Sequence, residues 1–365
     1  MSRRIAEADV VNFLDNYSES IDIKPQDKRP TLKTIADMVG VGTATVSKAL
    51  NDAPDIGQDT KERIRLIARE IGYQPDRNAV RLRSGKTNVI NLVLGTDEEF
   101  SGVMSQLIGG ITEALVSTQY NLVVVSPQSK TTAPIDTVRQ IVETRAADGI
   151  ILSGTMVTDS RVAYLDESGF PFATHGRTEQ GLQHAYFDFD NKAFGQNAVQ
   201  ILAQLKRSRV GIIMPPSKQT YARHMLDGFE IGLKETGLDG SVVTGVTIGN
   251  SIEEISQHIS RLLKSPDRPD GIIAGSVSTT IGVVNGIETA GFIVGEDIDV
   301  VAKQTTGDFL RWFGRPVHSI KEDFRAAGFG LANSLVKMID DDAPVEDHQT
   351  VAFPEIVGQK VTDNL

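Results

Sequence analysis

The stretch from Thr31 to Asn51, TLKTIADMVGVGTATVSKALN, carries residues suited to chemistry on duplex DNA. Thr43, Ala44, Ser47 and Lys48 offer short donors, a methyl group and a cation on one side of a short helical pattern, whose amino-terminal end fits a major groove. Amide donors at that end also suit phosphate. An ordinary helical hairpin with solvated threonines is the plain alternative. In YQPDRNAVRLRSGKT, Arg77, Arg81, Arg83 and Lys86 surround the single apolar Leu82, in a run too short and charged to hold a helix alone. Folded on DNA, its arginines meet phosphates or the minor groove and Leu82 wedges between base steps; a charged linker is the other reading.

A third group stands at the ends of apolar runs: Thr96 with Asp97, Ser126, Ser153, His175 with Arg177, Asp188 with Asp190, Ser276, and Gln304. These hydrogen-bonding groups suit a polyhydroxylated ligand such as a sugar. Each also has a structural reading: His175 as a satisfied core histidine, Asp190 and Asn191 as a helix cap, Ser153 and Ser276 as loop residues. No GxSxG, HExxH or GxxxxGK[ST] pattern occurs, so no catalytic residue, metal ligand or cofactor is assigned and no enzyme is expected. Nothing specific supports a glycoside-processing carboxylate pair.

The elements that must position these groups follow from periodicity. Leu32, Ile35, Ala36 and Val39 lie at helical spacing up to Gly40, and Val46, Ala49 and Leu50 line the inward face of a second helix over about 43–50, giving a helix-turn-helix. A third helix over 59–71 turns Ile64, Ile67, Ala68 and Ile71 inward and stops at Gly72. From Asn88 the pattern becomes short apolar runs alternating with amphipathic helices. VINLVLG, NLVVVS, GIILSG and FPFATHG form one set, and RVGIIM, VVTGVTI, GIIAGS and DIDVVA a second. Continuous β-branched strands alternating with helices predict an α/β protein with two doubly wound parallel-sheet subdomains. Residues 317–320, 324–339 and 350–353 return to close them. Ligands of such sheets bind beyond the carboxyl ends of the strands.

Composition bounds the partners. The chain of 365 residues has room for two or three domains and contains no cysteine, which fits a reducing compartment. Its net charge of -11 argues against nucleic acid until its distribution is read. Residues 28–86 hold twelve basic and seven acidic residues, a basic head on an acidic body. The leader MSRRIAEADVVNFLDNYSES has acids inside its apolar stretch, so neither a signal peptide nor a membrane anchor is expected and the protein is taken as cytoplasmic. Residues 1–27 read as an extension, either disordered or carrying a partner-binding helix with Val10, Val11, Leu14 and Tyr17 on one stripe. The expected divisions are this extension, a DNA-binding domain over 28–75, a hinge segment over 76–87, and an effector-binding and dimerisation core over 88–365.

The order TLKTIADMVGVGTATVSKALN, DTKERIRLIAREIGYQPDRNAVRLRSGKT, then two alternating α/β sets resembles the LacI/GalR family of bacterial transcription regulators over about 31–353. The resemblance implies a dimer on a palindromic operator and a periplasmic-binding-protein-like core that binds a small effector. It implies recognition by Thr43, Ala44 and Lys48, support or backbone contact from Thr45, Ser47, Asn51 and Arg77, and a hinge wedge at Leu82. Departures fall mainly in the core. Ser276 and Val277 stand where the family commonly has asparagine and aspartate, Met225 where an arginine is common, with Arg223 and His224 nearby, and Gly42 replaces the usual capping serine. FATHGR, YFDFDN and YARHMLDGF together are similar to the branch regulating α-glucoside use. This implies a glucose-containing disaccharide, sucrose or a relative, held by His175, Arg177, Asp188, Arg223 and His224. The remaining alternatives are a sugar-binding receptor without a DNA role and a regulator with a non-sugar effector.

Overall fold

The computed structural model describes residues 30–74, 85–95, 102–126, 133–305, 310, 314–341 and 343–357. The described residues fall into two compact units that divide between Lys86 and Thr87. The first is built on α1 (Leu32–Val39), α2 (Thr43–Leu50) and α3 (Gln58–Glu70). Thr31 starts α1 with a reciprocal cap, its hydroxyl accepting from the Thr34 amide while its own amide donates to Thr34 Oγ1. Gly40 ends α1 in the left-handed conformation that glycine adopts without strain. Ile35, Ala36, Val46, Ala49, Ile64, Ile67 and Ala68 bury one shared core, and this apolar spacing is what makes three short helices hold together. Leu82, expected as the hinge wedge, and Arg77, Arg81 and Arg83 lie outside the described residues, as does the expected extension over 1–27.

The second unit contains two sheets. The first has strand order β11-β5-β4-β3-β1-β2, from β1 (Val89–Val93), β2 (Asn121–Val125), β3 (Gly149–Leu152), β4 (Phe172–His175), β5 (Ala185–Phe189) and β11 (Gln349–Ala352), all parallel. The second has order β12-β10-β9-β8-β6-β7, from β6 (Arg209–Ile213), β7 (Asp239–Val242), β8 (Gly271–Ala274), β9 (Asp299–Gln304), β10 (Val317–Lys321) and β12 (Glu355–Val357), of which only the β10–β12 pair is antiparallel. Central strands such as GIIL and GIIA are buried on both faces, so helices must cover both sides. These are α4 (Gly102–Leu115), α5 (Pro134–Glu143), α6 (Ser160–Glu167), α7 (Asn191–Gln204), α8 (Thr220–Thr236), α9 (Ile252–Leu262), α10 (Val277–Thr289) and α11 (Phe324–Asp341).

The chain passes between the sheets three times, after β5, after β10 and between β11 and β12. Helix α7 thus follows a strand of the first sheet but packs Phe194, Ala198 and Leu202 into the second, while α11 returns Ala327, Leu331 and Leu335 to the first. Each returning helix meets a neighbour through a glycine. A Cβ on Gly228 of α8 would stand 1.9 Å from the Lys192 carbonyl oxygen, and one on Gly328 of α11 would stand 2.1 Å from that of Leu107.

One strand departs from the sequence expectation. VVTGVTI is a loop except at its start, because β7 already ends at Val242 and Gly245 turns with a positive φ. Val243 and Val246 are buried under that loop, which is why the run reads as a strand. Strands β5 and β12 lie beyond the runs named above. AYFDF mixes polar residues into its alternation, and EIV is a short, largely exposed edge. Among the described residues no helix is long and apolar enough to cross a membrane.

Candidate functional site

In the first unit, Thr43, Ala44 and Lys48 are exposed on α2, Thr45 and Ser47 are half-buried, and Asn51 is exposed just beyond. The inward residues Val46 and Ala49 fix that rotation. Gly42 caps α2 without a side-chain bond, leaving the first-turn amides to other acceptors. Asn51 closes the helix by donating to the Ser47 carbonyl. Lys48 Nζ pairs with Asp55 at 2.5 Å, and that hydrogen bond holds the Asp55 carboxyl below its usual pKa. Asp52, in the left-handed region, takes Arg65 at 2.7 Å and Lys61 at 3.1 Å, which pins the loop after α2 onto α3.

In the second unit, groups at the carboxyl ends of strands in both sheets converge, and the region where they meet is the candidate cleft. Asp188 on β5 is buried against Arg177, whose Nε lies 3.0 Å away, and accepts from the Phe189 amide. Burial pushes its carboxyl up to about 6, against the downward pull of Arg177. The charges of His224 and Glu322 also act on Asp188, so groups from both lobes converge there. His175 ends β4 between the rings of Phe324 and Phe189, 4.7 and 5.9 Å away. Burial, and then the charge of Lys303, lowers its imidazole to about 4.

The structure joins the other expected residues to this group unevenly. Asp190 caps α7 by accepting from the Ala193 amide, and Ser276 caps α10 by accepting from the Thr279 amide. Ser126 is exposed at the end of β2, and Gln304 is buried at the end of β9. Arg223 and His224 on α8 both reach Glu179, at 2.6 and 3.2 Å. Ser153 is fully buried, and its carbonyl accepts from Arg161. Asp97 lies outside the described residues.

Several residues that the sequence analysis does not single out belong to the site. Lys303 on β9 contacts Glu322 at 2.7 Å and Asn191 Oδ1 at 2.5 Å, with its ammonium over the Phe194 ring. Its sequence signal is a lysine that directly follows the apolar VVA of a fully buried strand, DVVAKQ. Asp159 and Arg161 form a sealed bidentate pair behind the loop after β3. Buried polar atoms without a hydrogen-bond partner cluster at these strand ends and the start of α8: His175 Nε2, Thr178 Oγ1, Gln219 Oε1, Thr220 Oγ1, His224 Nδ1 and Thr305 Oγ1. Among the described residues no group of side chains is arranged to hold a metal ion.

A helix-turn-helix unit preceding a two-lobed core with a polar cleft defines a class of DNA-binding regulator. Residues 31–76 match the bacterial regulatory proteins of the lacI family, and residues 96–343 match the periplasmic binding protein domain. The chain is 29% identical to the HTH-type transcriptional regulator AglR of Rhizobium meliloti (strain 1021), over 84% of this chain and 86% of that one. It is 30% identical to the HTH-type transcriptional regulator RafR of Escherichia coli, over 73% and 79%. In fold it is similar to the lac repressor dimer bound to operator and the anti-inducer ONPF, with a TM-score of 0.78 at 21% identity, covering 92% of this chain and 99% of that one. A transcriptional regulator CelR–cellobiose complex aligns at a TM-score of 0.63 and 23% identity, over 90% and 98%. The chain belongs to the LacI family of transcriptional regulators, and it is not an enzyme.

Proposed function

We propose that this regulator binds a palindromic operator as a dimer and is released from it by an uncharged sugar, of the class of glucose-containing disaccharides such as sucrose. Thr43, Ala44 and Lys48 read bases; Thr45, Ser47, Asn51, Arg77 and Arg81 hold the backbone; Leu82 enters the minor groove. The DNA assignment is supported by the exposure of Thr43, Ala44 and Lys48 on one face of α2.

The observation that carries the effector class is the charge pairing of the cleft. Arg177 is matched by Asp188, Lys303 by Glu322 and Arg223 by Glu179, so these cations already have carboxylate partners. A phosphorylated or carboxylated ligand needs a spare cation, whereas hydroxyl groups need the alternating donors and acceptors of His175, Thr178, Thr220 and Thr305. In favour of a disaccharide stands the CelR complex, which contains cellobiose. Ligand acts by binding two core arrangements unequally, and the DNA equilibrium follows.

The test is fluorescence anisotropy on a labelled palindromic fragment from the protein's own upstream region, titrated with neutral mono- and disaccharides and with sugar phosphates. Release by one neutral disaccharide is expected. Tight DNA binding that only an anionic sugar reverses overturns the effector class and leaves the DNA assignment standing.

A further inference from the structure

The two lobes of the core are tied across the mouth of the cleft by groups that belong wholly to the chain. Met156, in the loop after β3, forms an antiparallel bridge with Gln219, just before α8. The Val157 amide donates to the Lys218 carbonyl at 3.2 Å, and the Thr220 amide donates to the Thr155 carbonyl at 3.2 Å. Glu179, beyond β4 in the first lobe, sends one carboxylate oxygen to Arg223 and the other to His224 in the second. Its own amide donates to the Val157 carbonyl, which fixes it to the same loop.

That loop is a rigid abutment. Arg161 is 2% exposed and donates to both oxygens of Asp159 and to the carbonyls of Ser153 and Gly154. The Asp159 amide donates to Gln180 Oε1, and its carboxylate accepts from the Met156 amide. A buried network with this many charge-assisted bonds holds its backbone in one arrangement. The first lobe therefore presents Thr155, Met156 and Val157 as a fixed edge, and Glu179 stands beside that edge.

We propose that Glu179 is the latch of the core: a positioning residue that holds Arg223 and His224 across the cleft mouth and thereby sets how long the two lobes stay closed. Opening must break the two backbone hydrogen bonds that flank the bridge and the shared carboxylate together. The backbone contacts are the same for any side chains at those positions, whereas the carboxylate pair is specific to this chain's residues. Glu179 therefore sets the closing equilibrium, and Arg223 and His224 act as gate residues at the mouth. The proposal goes beyond the effector reading, because it needs neither DNA nor ligand to be measured.

The chain has no cysteine, which gives a clean test. Facing residues of an antiparallel bridge have Cα atoms about 4.5–5.5 Å apart, within the span of a disulfide. In the full-length Met156→Cys/Gln219→Cys variant, with oxidised glutathione as the oxidant, the rate of cross-linking reads the closed population. Adding Glu179→Gln is expected to slow cross-linking about three- to fivefold, the scale of a single partly exposed ion pair, and Arg223→Gln should do the same. The charge exchange Glu179→Arg/Arg223→Glu should restore the rate, which a damaged loop would not do. An unchanged rate in Glu179→Gln, or a charge exchange no faster than the single variants, overturns the latch.

Discussion

Lys303 and Glu322 meet at 2.7 Å with only 4% and 3% of their side chains exposed, and the same ammonium reaches Asn191 Oδ1. Asn191 opens α7, immediately after the first passage between the sheets, and Glu322 stands at the second. One buried cation therefore ties together two of the three crossings of the chain that join the lobes.

Removing one partner leaves an uncompensated charge in a sealed place. Lys303→Met or Glu322→Leu alone should destabilise the core by about 3–5 kcal/mol, while the double variant should recover most of that loss. Urea unfolding followed by far-ultraviolet circular dichroism measures it. A double variant as unstable as the sum of the singles would show that the pair is not the coupled unit described.

Acid should separate the two titrating residues of the cleft. His175, lowered to about 4, stays neutral in the fold while the unfolded chain takes up a proton, so its contribution is lost as pH falls from about 6.5 to about 4. Asp188, raised to about 6, takes up its proton earlier in the fold than in the unfolded chain, so its contribution to stability grows as pH falls through about 6 and is lost as pH rises. His175→Gln should flatten the loss of stability on acidification, and Asp188→Asn should steepen it. Melting temperatures at pH 4.5, 5.5 and 7.5 distinguish the two variants.

Asp55 shares Lys48 with any phosphate that approaches α2. Asp55→Asn should tighten binding to non-specific DNA at low salt and raise the magnitude of the log–log salt slope by about 1, the signature of one additional released counterion. Lys48→Ala should instead weaken specific binding at one base position. Anisotropy over a salt series, on operator and on scrambled duplex, reads both variants.

The two-helix contact through Gly228 admits no side chain. Gly228→Ala drives a methyl into the Lys192 carbonyl and must separate α7 from α8, at a cost of about 1–3 kcal/mol. The same substitution at Gly40, where a Cβ has open space but φ is positive, should act only on the first unit. Differential scanning calorimetry resolves which unit each change affects.

The sequence displays what depends on local periodicity. The helix-turn-helix, the buried β-branched strands and the outward face of α2 follow from apolar spacing, and the strand-end polar groups follow from where those runs stop. Interactions between distant residues are hidden from such a reading. Glu179 looks like one polar residue in a loop until folding carries Arg223 to it, and Lys303 looks misplaced until Glu322 arrives from just beyond the next strand. Asp190 and Ser276 show the converse: both stand at strand ends, but each side chain is bonded to the helix that it starts. Val243 and Val246 mimic a strand because a loop that covers a sheet needs apolar residues as much as the sheet does.

The interleaving of the two sheets also dictates an order of manufacture. The first sheet takes its outer strand from Gln349–Ala352, and the face of α4 takes its cover from α11, both made long after β5. On a ribosome the lobe begun first is the one that must wait, with the edge of β5 and the apolar face of α4 uncovered while the second lobe is being made. Chains terminated before residue 349 leave β5 as an open edge that pairs readily with other chains. Late nonsense mutations should therefore yield aggregated protein instead of a weakened regulator.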